Sequence, residues 1–114
     1  MTNWTTLPHE KLIAYQVARE LLVLVTGTRI SNAGLRDQAV RAARSACLNI
    51  AEAAGRQGAA DKARVYAIAR GEACEAAAAL DIGLAAGDCS VQSAVAAGEL
   101  ARRLYALLSG LIRA

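Results

Sequence analysis

Phenylalanine is absent from this sequence, and proline, histidine, tryptophan and methionine occur once each. The shortage of aromatic and β-branched residues, which fit a pleated surface, argues against a β-rich fold, and a single proline leaves long helices uninterrupted. With His9 as the one histidine, neither a His-based metal cluster nor a Ser- or Cys-centred triad can be assembled from one copy of the chain. Cys47, Cys74 and Cys89 are odd in number, lie 27 and 15 residues apart and form no C-x-x-C pair, which argues against a disulfide framework or a zinc site. Cys47 and Cys74 read instead as small buried hydrophobes, and His9 as a solvated residue of an N-terminal leader. No G-x-x-x-x-G-K or G-x-G-x-x-G pattern is present to cradle a nucleotide phosphate, and no cofactor is implied. The longest aliphatic run free of alanine, Leu21 to Val25, falls far short of the roughly 18 residues of a membrane span. Residues 1–11 lack the cationic start and apolar stretch of a secretory signal. A cytoplasmic protein without membrane association is the expectation.

What the chain does have is alanine and leucine, 28 and 14 of its 114 residues, the types that lose least on entering a helix. That length is one domain's worth, residues 1–114. Punctuation divides it. Pro8 precedes the first periodic segment, Gly27 to Gly34 end it, Gly55 to Gly58 interrupt the second, and Gly87 and Asp88 interrupt the third. Four helices follow, near residues 9–28, 33–55, 59–86 and 90–112, with Asp61 and Ser90 as N-cap candidates. Connections this short make successive helices antiparallel neighbours, so the expected fold is all-α, an up-down-up-down four-helix bundle.

Two stripes run along the first helix. Ile13, Val17, Leu21 and Leu24 form one, and Tyr15, Ala18, Leu22 and Val25 an adjoining one. One stripe fills the bundle core; the other suggests burial against another subunit, with a thicker core of the same chain as the alternative. In the last helix Leu100, Leu104, Leu107 and Leu111 make a seam. The second helix sets Val40, Ala43, Cys47, Ile50 and Ala54 on one side. Opposite them Gln38, Arg41, Ser45, Asn49, Glu52 and Arg56 fall within about 80° of arc at 100° per residue. That polar row reads as an interhelix or intersubunit network, a solvated face, or a ligand site, and Arg70, Glu72 and Glu75 of the third helix supply charges able to pair with it.

Residues 35–53, with Gln38, Arg41-Ala42, Ser45 and Asn49-Ile50-Ala51-Glu52, resemble the signature Q-x-x-R-A-x-x-S-x-x-x-N-I-A-E-G of the 23S rRNA intervening-sequence proteins, a four-helix-bundle family. Ile68-Ala69-Arg70-Gly71 and Glu75 are similar to that family's second signature, I-A-R-G-S-x-x-E. Ala53 stands where the family has Gly and Glu72 where it has Ser. The family is similar in fold to the accessory variability protein of diversity-generating retroelements. The resemblance implies assembly into a homo-oligomeric ring, typically a pentamer, and no established catalytic activity.

Three function classes are open at this point. An oligomeric protein associated with RNA or DNA, or with a reverse transcriptase, is the first, motivated by the resemblance. Its candidate nucleic-acid contacts are Arg36, Arg44, Arg56, Lys62, Arg64, Arg102 and Arg103. A net charge of +3 is small for that role, and Trp4, Tyr15, Tyr66 and Tyr105 do not interleave with the cations along the chain, so the aromatics read as core or interface anchors. The second class is a protein-interaction scaffold without nucleic-acid binding. An enzyme is the third and is not expected: Glu52, Glu72 and Glu75 are carboxylates that could converge, but the E-x-x-H pairs of di-iron bundles are missing.

Overall fold

Four α-helices account for most of the computed structural model, which describes residues 5–114, and no strand occurs among the described residues. They are α1 (Ile13–Gly27), α2 (Ala33–Gly55), α3 (Ala59–Ala86) and α4 (Val91–Arg113). Helix α1 packs against α2 and α4, and α3 packs against the same two, which leaves α2 and α4 at opposite corners. Along the α2–α3 seam Leu35 meets Gly83, Arg41 meets Glu72 and Glu75, and the α2 carbonyl of Ala54 meets Lys62. No helix among the described residues is long and apolar enough to cross a membrane.

Helix α1 starts at Ile13 rather than near residue 9. The reason is local. The Leu7 N–H donates to Glu10 Oε1 at 2.9 Å, and the Glu10 and Leu12 N–H groups donate to the carbonyls of Leu7 and His9, so residues 7–12 close turns of their own. Leu12 is then extended, at φ −73° and ψ 126°, and the helix begins after it. His9 is not fully solvated, as its ring packs edge-on against Tyr15 at 4.6 Å between centroids.

Capping follows the punctuation with one exchange. Asn32 caps α2 by accepting from the Leu35 N–H, and Ser90 caps α4 by accepting from the Ser93 N–H. Asp61 is not a cap. Gly58, at φ +81°, occupies that position, a conformation glycine adopts without a Cβ penalty. Asp61 stands instead in the first turn of α3, where its charge complements the helix dipole. At the other end of α3, Gly87 is left-handed at φ +80° and its N–H closes on the carbonyls of Gly83 and Leu84. The loop before α2 is tied to this turn: the Ser31 N–H and hydroxyl both donate to Asp88, at 3.0 and 2.9 Å.

The core is made of alanine with a few large anchors. Ala39, Ala42, Ala43, Ala46 and Ala53 of α2 and Ala69, Ala73 and Ala76 of α3 are buried, and such small side chains permit close approach of the helices. Leu21, Ile50, Leu80, Leu104 and Leu108 fill the space between, each fully enclosed. Truncating any of these to alanine costs about 2–5 kcal/mol.

Two expected faces are corrected here. On α1 the buried set is Ala14, Val17, Ala18, Leu21 and Val25, drawn from both stripes. Tyr15, Leu22 and Leu24 pack at its margin, while Ile13 is exposed. The stripe assigned to a second subunit is therefore largely absorbed by the chain's own core. On α4 the fully buried leucines are Leu104 and Leu108, with Leu100, Leu107 and Leu111 at the edge. Cys47 is buried but Cys74 is exposed, contrary to the reading of both as core residues. Among the aromatics Tyr66 is a core residue, Tyr15 is half-buried and Tyr105 is exposed. Trp4 lies outside the described residues.

Candidate functional site

The polar row of α2 runs along its seam with α3, and its two ends behave differently. At the middle of the helix Arg41 bridges two carboxylates of α3: Nη1 to Glu72 at 3.4 Å and Nη2 to Glu75 at 2.5 Å. Glu72 is the more enclosed of the pair, and the Arg41 side chain is 60% exposed. Screening by water keeps an ion pair of this kind to about 0–1 kcal/mol, so it selects the register of α2 on α3 more than it stabilises the fold. At the C-terminal end Arg56 donates to Glu52 at 2.6 Å and to Asp61 at 3.0 Å, and the other oxygen of Asp61 accepts from Arg64 at 3.0 Å. Lys62 donates to the Ala54 carbonyl at 2.8 Å, satisfying one of the acceptors that a helix end leaves free. The turn between α2 and α3 is clamped from both sides.

Charges set the titration of this clamp. Hydrogen bonds from Arg64 and then Arg56 hold the Asp61 carboxyl below its usual value, and the hydrogen bonds from Arg56 to Glu52 and Asp61 raise the guanidinium in turn. Burial pushes the Cys47 thiol up, against a weaker opposing pull from the Arg19 charge. The Cys89 thiol is raised by burial and by Asp88 and Asp81, and it donates to the Leu80 carbonyl at 3.1 Å.

Several residues of the row do not join it across the seam. The Asn49 amide donates to the Ser45 carbonyl at 2.9 Å and to the Ser45 hydroxyl at 3.0 Å, one turn back on the same helix. Gln38 is exposed and makes none of the side-chain hydrogen bonds of the described residues. Arg70 is on the opposite side of α3. Its Nη1 donates to the Ser109 hydroxyl of α4 at 2.9 Å, and its guanidinium carbon lies 4.9 Å from the centroid of the Tyr105 ring. The network expected of Arg70 with α2 is thus replaced by a contact with α4. Nothing in the sequence pointed to it, because Tyr105 and Ser109 share a face of α4 at i and i+4 while their partner is 35 or more residues away.

The seven cations considered as phosphate contacts divide in the same way. Arg56, Lys62 and Arg64 are engaged in the α2–α3 clamp. Arg36, Arg44, Arg102 and Arg103 are exposed and belong to none of the ion pairs among the described residues. Arg36 and Arg44 stand on α2 and Arg102 and Arg103 on α4, so the free cations occupy opposite corners of one chain rather than a single patch. No group of three or more metal-ligating side chains converges among the described residues.

The whole arrangement, from the turn before α1 to the last turn of α4, is spanned by a match between residues 10–110 and the family model described as 23S rRNA-intervening sequence protein. The chain belongs to this family. No curated protein matches it. In this member of the 23S rRNA-intervening sequence protein family, the two signature stretches lie on α2 and α3, and Arg41 and Glu75 join them directly. Arg70, from the second stretch, points away from the first and toward α4.

Proposed function

We propose that this family member is a non-enzymatic, antiparallel four-helix bundle that assembles into a homo-oligomeric ring, a pentamer being favoured, and that the ring engages RNA or DNA. The antiparallel arrangement is supported by the seam contacts, in which residue numbers fall along α3 as they rise along α2, from Leu35 with Gly83 to Ala54 with Lys62. Assembly is supported by exposed branched side chains that the core leaves over, among them Val23 at 70% and Leu48 at 64%. Non-enzymatic character is favoured by Arg41 lying against Glu72 and Glu75, which engages in ion pairs two of the carboxylates that an acid–base pair would draw on. The three free thiols suit a reducing cytoplasm.

The nucleic-acid reading rests on one observation, membership of a family described by 23S rRNA, joined to exposed arginines that are not neutralised within the chain. A ring repeats each such cation once per subunit, which offsets a charge of only +3 per chain. An accessory role beside a reverse transcriptase belongs to the same reading. The second reading, a scaffold for a protein partner without nucleic-acid binding, draws on the exposed aliphatic residues alone. Titration of the protein into labelled single-stranded and structured RNA and DNA, followed by anisotropy at low and near-physiological salt, separates them. Nucleic-acid engagement requires binding whose log K falls with log salt by about 0.7 per phosphate contacted on single strands and about 0.9 on duplex DNA. Silence at low salt leaves the scaffold.

A further inference from the structure

Tyr105 is the exposed tyrosine of the described residues, at 46%, and it is the one that carries a cation on its ring. The Arg70 guanidinium is pinned there twice, by the ring at 4.9 Å and by the Ser109 hydroxyl at 2.9 Å, and it enters none of the ion pairs among the described residues. One turn earlier on α4, Arg102 leans back over Gly98, its Nη1 3.1 Å from where a Cβ would stand, and it too is free of ion pairs. Asp81 and Glu99 line the same α3–α4 groove as Arg102. A half-exposed ring and a fixed planar cation thus share one edge of the bundle, and the Arg102 guanidinium lies over Gly98, about two helical turns before the ring.

We propose that this edge is a stacking site for a nucleobase of a single-stranded RNA or DNA, with the Tyr105–Arg70 pair as the platform and Arg102 meeting a neighbouring phosphate. The inference rests on the nucleic-acid reading above and adds to it the class of strand and the residues that hold it. A base can stack on a face of the ring–guanidinium pair that the pairing leaves open, since every base presents a π-face to ring and guanidinium alike. An acidic peptide would use only the cations and would leave the ring face unused. Pinning of Arg70 reduces the rotamer freedom lost on binding.

The test is anisotropy with labelled oligouridine and oligothymidine, and with an abasic strand of the same length that keeps the phosphates and lacks the bases. Wild type is expected to prefer the base-bearing strands. Tyr105→Ala weakens them about tenfold with little change on the abasic strand, while Tyr105→Phe, which keeps the ring, stays within about twofold of wild type. Arg102→Gln lowers the salt slope by about 0.7. Circular dichroism of each variant checks that the helices are kept. Equal affinity of wild type for abasic and base-bearing strands, or Tyr105→Ala binding like wild type, overturns the stacking site and leaves nucleic-acid binding standing. No binding of wild type to any strand overturns the nucleic-acid reading itself, and the stacking site with it.

Discussion

Cys47 and Cys74 carry the same thiol on adjacent helices, and only their surroundings separate them. Cys47 is enclosed between α2 and its neighbours, and burial raises its pKa because the thiolate is poorly solvated there. Cys74 looks outward. Cys89 is partly covered, its thiol raised by burial and by two carboxylates and held on the Leu80 carbonyl. Titration of the native protein with a chromogenic disulfide near neutral pH should therefore show one fast thiol, lost in Cys74→Ser. The other two should react about tenfold slower or more, since the thiolate is the attacking species. Three thiols reacting at one rate would contradict this ordering. Residue identity alone could not have made the distinction: each cysteine follows an alanine on a long helix, and the packing of the neighbouring helices decides which is covered.

At the scale of the helices, the α2–α3 connection makes a pH-dependent contribution. The Asp61 carboxyl is held below its ordinary value of 3.8 by Arg64 and Arg56. A depressed carboxylate contributes stability that is fully present above its unfolded value and is lost as pH falls through the folded one. Thermal melts between about pH 6 and pH 2 should show wild type losing stability below 3.8, with Asp61→Asn lacking that part of the decline. Identical pH profiles would mean that the clamp is open in solution. The boundaries of these helices were readable where a short polar side chain or a glycine interrupts the pattern, as at Asn32, Gly58, Gly87 and Ser90. The start of α1 was not, because a carboxylate on Glu10 and a free N–H on Leu7 closed a turn that apolar periodicity does not register.

For the molecule as a whole, the exposed aliphatic residues are spread over α1, α2, α3 and α4: Val23, Leu48, Ile82 and Val95 among them. Side chains distributed in this way suit contact through two different faces, the heterologous geometry that closes into a ring. Light scattering of the purified protein should give a multiple of 11.8 kDa. Leu48→Glu, which touches no core position, should shift that mass toward one chain while the far-ultraviolet helical signal is unchanged. A mass of 11.8 kDa for wild type across the accessible concentration range would refute assembly.

The sequence by itself determined the all-α class, the number of helices and the family. Alanine and leucine content, sparse glycine and two signature stretches are local properties, and a helix needs only local hydrogen bonds to declare itself. Which face of each helix turns inward was decided by the tertiary structure. In α3 charged residues are spread around the helix among the alanines, so the wheel cannot rank its faces and only the packing of its neighbours does. The partner of each charge was decided in the same way. Arg41 found Glu75 and Arg70 found Tyr105 because α3 has one edge against α2 and another against α4, a separation in space that spacing along the chain does not encode.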